Sequence, residues 1–155
     1  MEWWVLLHVA TAFWFVAGLA GRDVSLTRAA HAADLTSIRA LVGAAGVFDR
    51  FFVVPGSIAV LVAGLIAMVA TDLTLGDQTW LLVALILFLT MIPLVPLVFR
   101  PRGKLFAAAL DQAIATDAVT PELRAAFADP VVALARWYER IVVAVIIVLM
   151  VTKPF

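Results

Sequence analysis

The chain has 155 residues, 65% hydrophobic and 14% charged, with 11 basic residues matched by 11 acidic ones, whereas soluble domains run near ~45–50% and ~25%. A mean hydropathy of +1.11 excludes an ordinary soluble domain. The absence of cysteine excludes disulfides, thiolate metal ligands and thiol redox chemistry.

Four apolar stretches are expected to cross a bilayer, at residues 3–20, 52–70, 80–99 and 137–152. Stretches of about 18 to 20 residues cover about 27 to 30 Å as helix, close to the hydrocarbon thickness of a membrane. Ionisable groups inside them are His8 in the first, and Glu139 and Arg140 at the entry of the fourth. The fold expected is all-α: a polytopic four-transmembrane-helix bundle with short amphipathic cytoplasmic helices, forming one domain over residues 1–155.

The first stretch opens Met1-Glu2-Trp3-Trp4, with an acid and no base, and reads as a retained anchor rather than a signal peptide. His8, Thr11, Phe15, Gly18 and Arg22 share one face by alternating three- and four-residue spacing. That face carries the polar groups of the span and is expected to look into the bundle. An ionisable side chain inside a span is costly and usually marks function, although a neutral imidazole is the cheapest of the set, and a ring simply bonded to a neighbouring helix is the leading reading of His8. Two chemistries stand beside the plain one, a neutral ring bonded to a neighbouring helix: iron ligation through one ring nitrogen, and proton handling. His31 lies in the polar segment that follows and is expected to be solvated.

Asp34 reads as an N-cap ahead of Leu35, Ile38, Leu41, Val42 and Ala45 at helical spacing. This is a short amphipathic helix feeding the second stretch. Pro55-Gly56 should kink the start of that stretch. Within it, Ala59, Ala63 and Ala67 recur every four residues beside Gly56 and Gly64, the small-residue stripe of a close helix contact. The connection 71–79 holds Asp72 and Asp77 and no basic residue.

Pro93 and Pro96 interrupt the third stretch and are expected to kink it. Beyond it, Leu105, Phe106, Ala109, Leu110, Ala113 and Ile114 form an apolar stripe opposite Lys104, Asp111 and Gln112. Thr120-Pro121-Glu122 and Asp129-Pro130 both have the cap-then-proline form of a helix start. The fourth helix therefore begins near Pro130 and enters the membrane at Trp137. At the cytoplasmic mouth, Asp49 and Arg50 are expected to form structural ion pairs with Arg136, Glu139 and Arg140. The same arginines suit an anionic head group or the propionates of a tetrapyrrole.

Ten of the eleven Lys and Arg fall on one side of these spans, and the positive-inside rule makes that side cytoplasmic with both termini outward. Trp3, Trp4, Trp80 and Trp137 lie at span ends, as an aromatic belt requires. The first and fourth helices are then expected to be neighbours. His8 and Lys153 would approach one outward-side pocket, with Glu2 near its rim.

Leu7-His8 through Phe13-Trp14-Phe15-Val16-Ala17-Gly18-Leu19, the stretch Phe48-Asp49-Arg50-Phe51 with Pro55-Gly56 and Gly64-Leu65, and the ending Leu149-Met150-Val151-Thr152-Lys153-Pro154-Phe155 together resemble a bacterial family of predicted integral membrane proteins of unknown function. The first and last pieces are also similar to the HemJ-type protoporphyrinogen oxidases, four-helix membrane proteins that bind haem b. Copper-resistance D proteins share the histidine-bearing first helix more loosely. The resemblance to HemJ implies His8 as the iron ligand and Lys153 as a second axial ligand or propionate partner. This chain departs from that pattern at Trp14, at Gly21-Arg22-Asp23 and at Tyr138-Glu139.

No phosphate-binding glycine loop, no paired intramembrane carboxylates and no Ser/His/Asp set occurs. The basic segments carry matching acids and face a membrane, which argues against nucleic acid as a partner. Three classes stay open, and the catalytic assignment is none. The favoured one is an accessory or assembly subunit of a membrane complex in the bacterial cytoplasmic (inner) membrane, partnered by the lipid bilayer and by another membrane protein or a second copy. The alternative is a haem b-binding membrane redox protein with His8 as ligand, and the third is a small-solute or metal permease.

Overall fold

A computed structural model of the chain describes residues 3–74, 76 and 78–154. Glu2 and Asp77 lie outside the described residues, as does Phe155 of the C-terminal motif. Every regular element among the described residues is helical, in two compact units, Met1–Thr74 and Leu75–Phe155.

The first unit is a helical hairpin. Helix α1, Trp3–His31, runs for 29 residues, continuing beyond the apolar stretch 3–20. No proline stops it, and its buried face continues through Arg22, Ser25 and Ala29, so packing carries the helix beyond its apolar part. Arg28, in the polar segment after the apolar stretch, therefore sits in helix. Residues 32–34 turn the chain into α2, Leu35–Phe48, capped as expected: the Asp34 carboxylate accepts the Ser37 backbone N–H at 2.7 Å. That bond, first among its causes, holds the Asp34 carboxyl below its ordinary value.

Helix α2 does not stop before the second apolar stretch. It passes through one wide π-type turn, Asp49–Val53, into α3, Val54–Ala70. Here the N–H of Val54 reaches back five residues to the carbonyl of Asp49. Pro55 is the reason: it has no N–H, and its ring would collide with a carbonyl four residues back, so the ladder opens by one residue just before it. The expected kink thus takes the form of a widened turn inside a 36-residue helical run, Leu35–Ala70.

Against this run α1 packs antiparallel. Phe48 lies against Gly21, Phe52 against Gly18, Phe15 against Gly56 and His8 against Gly64. A Cβ on Gly18 would fall 2.5 Å from the Phe52 Cβ, so that position admits no side chain. The small-residue face is confirmed at Ala63 and Ala67, both buried, and joins Gly56 and Val60. Ala59 is only half-buried.

The second unit repeats the device. Helix α4, Thr79–Met91, ends where Pro93 cannot serve the carbonyl of Leu89, which takes the Ile92 N–H instead at 3.2 Å. A second wide turn, Val95–Phe99, leads into α5, Arg100–Thr116, with the Arg100 N–H bonded to the Val95 carbonyl immediately before Pro101. Of the expected α5 stripe, Ala113 is fully buried and Phe106 meets Phe127 edge-on at 4.9 Å, whereas Leu105 and Ile114 are exposed. Asp117 closes α5 in the left-handed conformation, φ 49°. Thr120 caps α6, Pro121–Phe127, and Asp129 caps α7, Pro130–Thr152, as the two cap-then-proline pairs require.

Among the described residues three helical runs are long and apolar enough to cross a membrane: Trp3–His31, Leu35–Ala70 and Thr79–Thr116. Helix α7 is not among them. It has 23 residues, and Arg136, Glu139 and Arg140 fall within every stretch of it long enough to span.

Candidate functional site

The polar face of α1 is where the first unit concentrates its chemistry. His8, Thr11, Phe15, Gly18 and Arg22 do face α2 and α3, and the spacing continues to Ser25 and Ala29 as a heptad-like seam. On it Phe15, Gly18, Arg22, Ser25 and Ala29 are buried, and His8 and Thr11 half-buried.

His8 reaches across to α3, its Nδ1 lying 3.1 Å from the Val60 backbone carbonyl oxygen. A carbonyl only accepts, so Nδ1 carries a proton, which in the neutral ring leaves the lone pair on Nε2. The ring can come this close because residue 64 has no side chain: a Cβ there would lie 2.9 Å from His8 Cε1 and 3.0 Å from Nδ1. Thr11 turns back into its own helix, donating to the carbonyls of Leu7 and His8. One turn before His8, Trp4 and the α3 residues Leu65, Ile66, Val69 and Ala70 line a shallow apolar groove of about 420 Å³.

Arg22 is the charged centre of the seam, only 7% exposed. Its guanidinium lies 3.5 Å from Asp49 across the hairpin and 3.4 Å from Asp23 beside it. Asp49 thus pairs with α1. Arg50 stands over the Phe51 ring at 5.8 Å. Reading the sequence placed Arg22 on this face but did not match it to Asp49. The available signal was the hairpin itself, since a buried arginine on one arm asks for an acid at the facing level of the other.

Lys153 and the remaining entry charges belong to the second unit. Lys153 ends α7 in the left-handed conformation, its N–H bonded to the Leu149 carbonyl at 2.9 Å, and its ammonium sits 5.5 Å above the Trp80 ring. Trp80 is buried and donates its indole N–H to Gln78 at 2.8 Å. Glu139 is buried on α7, and the Arg140 guanidinium covers Trp137 at 5.3 Å. Arg102 and Asp129 form an ion pair at 2.9 Å that ties α5 to the start of α7. Burial raises the Asp129 carboxyl, but N–H bonds from Val131 and Val132 and the Arg102 charge outweigh it, so its pKa is lowered. His31 is exposed at the end of α1, as expected, with Nδ1 donating to the Thr27 carbonyl at 2.8 Å. Among the described residues no group of three or more His, Asp or Glu is placed to hold a metal ion.

The family model described as "predicted integral membrane protein (DUF2269)" matches residues 3–154. No curated protein and no solved structure matches the chain.

Proposed function

The chain belongs to the DUF2269 family of predicted integral membrane proteins, and we propose that within the membrane it is an accessory or assembly subunit of a larger complex. In this reading it is a multi-pass protein of the bacterial inner membrane, a single four-helix transmembrane domain with both termini outside, and α7 is the fourth span. The charge asymmetry of the connecting segments supports the orientation. The observation that carries the subunit reading is the outward face of α7. Leu134, Ile141 and Val148 recur every seven residues and are 71%, 56% and 58% exposed, on a helix whose opposite face buries Ala135, Glu139 and Val142. Such a regular apolar face suits a partner helix. The cysteine-free chain makes a direct test available: Ile141→Cys and Val148→Cys should cross-link to a partner or a second copy in native membranes, and Val131→Cys should not. Uniform labelling of both positions by a lipid-soluble maleimide, with no cross-link, would mean that the face meets lipid alone.

A second reading has its own support at His8. The Nδ1–H bond to a backbone carbonyl is the outer-shell contact that orients a ligating imidazole and leaves Nε2 for the metal. That donor fits haem b, the cofactor implied by the HemJ resemblance, which when bound would supply one-electron redox chemistry. His8 would hold the iron, Val60 would fix the tautomer and Gly64 would admit the ring. A Soret band in the purified protein, lost in His8→Ala, would establish this reading. A colourless protein that incorporates no added haemin would remove it.

A further inference from the structure

Pro93, Pro96 and Pro101 follow one another closely in the run Thr79–Thr116, and each withholds a backbone N–H from the helical ladder. The carbonyls of Leu89 and Ile92 take the N–H groups of Ile92 and Val95, three residues on, at 3.2 and 3.3 Å. Before Pro101 the Arg100 N–H reaches back to Val95 across the wide turn. Packing does not brace this stretch: no residue from 92 to 112 is buried, and a Cβ on Gly103 would meet nothing within 4 Å. A helix so short of ladder bonds and buried side chains has low local stability. Beyond it α5 and α6 hold one another. Ala113 and Leu123 are fully buried, and the Phe106 and Phe127 rings meet at 4.9 Å. This pair of helices joins its unit at two places, the proline stretch and the turn at Ala128 where α6 ends.

Helix α7 is tied on both sides of the break. On the α4 side the Tyr138 hydroxyl donates to Thr90 at 2.6 Å, because the Thr90 hydroxyl itself donates to the Leu87 carbonyl. On the α5 side Arg102 donates to Asp129 Oδ2 at 2.9 Å, while Oδ1 of the same carboxylate accepts the N–H groups of Val131 and Val132. We propose that α5 and α6 form one arm that pivots on residues 92–99 and on the turn at Ala128, and that the Arg102–Asp129 pair is the latch holding it against α7. Arg102 lies just past the first pivot and Asp129 just past the second, so a single bond closes both. One carboxylate oxygen caps α7 and the other holds the arm, so the latch opens without uncapping the helix. The Arg102 side chain is 41% exposed, which lets water and salt compete for the pair. Tyr138 and Thr90, on the far side of the break, keep α4 on α7 when the arm is released.

The chain has no cysteine, so the test uses spin labels on the full chain in an uncharged detergent, with distances read by pulsed electron paramagnetic resonance. Leu82→Cys with Leu105→Cys places one label on α4 and one on α5, both at exposed positions. Leu105→Cys with Glu122→Cys, also exposed, reads the inside of the arm. In the native background one closed distance should dominate for each pair. Asp129→Asn keeps an oxygen to cap α7. That variant and Arg102→Gln should each raise a displaced minor population of the α4–α5 pair about two- to fivefold, the range for a partly exposed ion pair. Both substitutions together should add nothing further, because they remove the same bond. The distance within the arm should hold in every variant. An unchanged α4–α5 distribution in both single variants would show that the ion pair is no latch. A displaced population in Asp129→Asn alone would assign the effect to the helix cap, and broadening of the arm pair would show that α5 and α6 separate rather than swing as one. Each of these three results overturns the latched arm.

Discussion

The Nδ1 of His8 and the backbone carbonyl of Val60, 52 residues apart in sequence, meet at 3.1 Å across the first hairpin. This bond fixes the level at which α1 passes α3 and the tautomer of the ring. It depends on Gly64, whose missing side chain leaves the space that the imidazole fills.

The dependence is measurable. Gly64→Ala should destabilise the protein by about 1–3 kcal/mol, the usual cost of overpacking. In a His8→Ala background the ring is gone, and the same change should cost almost nothing. The cycle is read by thermal unfolding in detergent. An equal cost in both backgrounds would show that residue 64 is constrained by something other than His8.

How much of this was legible in the chain depends on the range of the interaction. The face of α1 could be read because its spacing is local, and every residue named on it, from His8 to Arg22, is buried or half-buried. Caps at Asp34, Thr120 and Asp129 were legible for the same reason, each depending on residues within one helical turn. The end of α1 was not legible, because hydropathy falls after Ala20 while packing does not: Ser25 and Ala29 continue the seam under a polar stretch. The partner of Asp49 was not legible, because a pairing between arms depends on register that no local pattern carries. Pro55, Pro93 and Pro96 announced irregularity, but only the geometry shows it as a widened turn before Pro55 and another before Pro101, a proline the pattern had not singled out.

The small-residue face gives a sharper contrast. Ala63 is 3% exposed, so Ala63→Leu should cost about 1–3 kcal/mol by overpacking. Ile58, 61% exposed on the same helix, should tolerate Ala with little change in melting temperature. Equal effects at the two positions would mean that α3 meets α1 through a different face.

Arg22 and its acids should respond asymmetrically. Replacing the buried cation with an apolar side chain of similar length removes both the ion pair and its desolvation cost, so Arg22→Met should be near neutral. Asp49→Ala keeps the buried guanidinium and takes away its cross-hairpin partner, leaving Asp23, and should cost about 1–2 kcal/mol. Arg22→Met should then rescue Asp49→Ala. A rescue failure, measured by the same unfolding assay, would show that Asp49 acts through something other than Arg22.

The last expectation concerns acid. Asp129 caps α7 by accepting the N–H groups of Val131 and Val132 and also pairs with Arg102. Its carboxyl is held below the ordinary value of 3.8 in the folded chain. A lowered folded-state pKa means that the folded form binds its proton less readily than the unfolded form does. The contribution to stability is therefore complete above the unfolded value, and it drains away as pH falls toward the folded one. Asp129→Asn keeps an oxygen able to cap the helix but cannot titrate and no longer attracts Arg102. At neutral pH the variant should melt below the native protein. As pH drops from about 5 to about 3 the gap should narrow, because the native carboxylate is being neutralised while the amide is unchanged. Asp34→Asn should behave alike at the start of α2, where the Ser37 N–H holds the carboxyl down. A gap that stays constant over this range would show that the Asp129 charge does not contribute to holding α7 against α5.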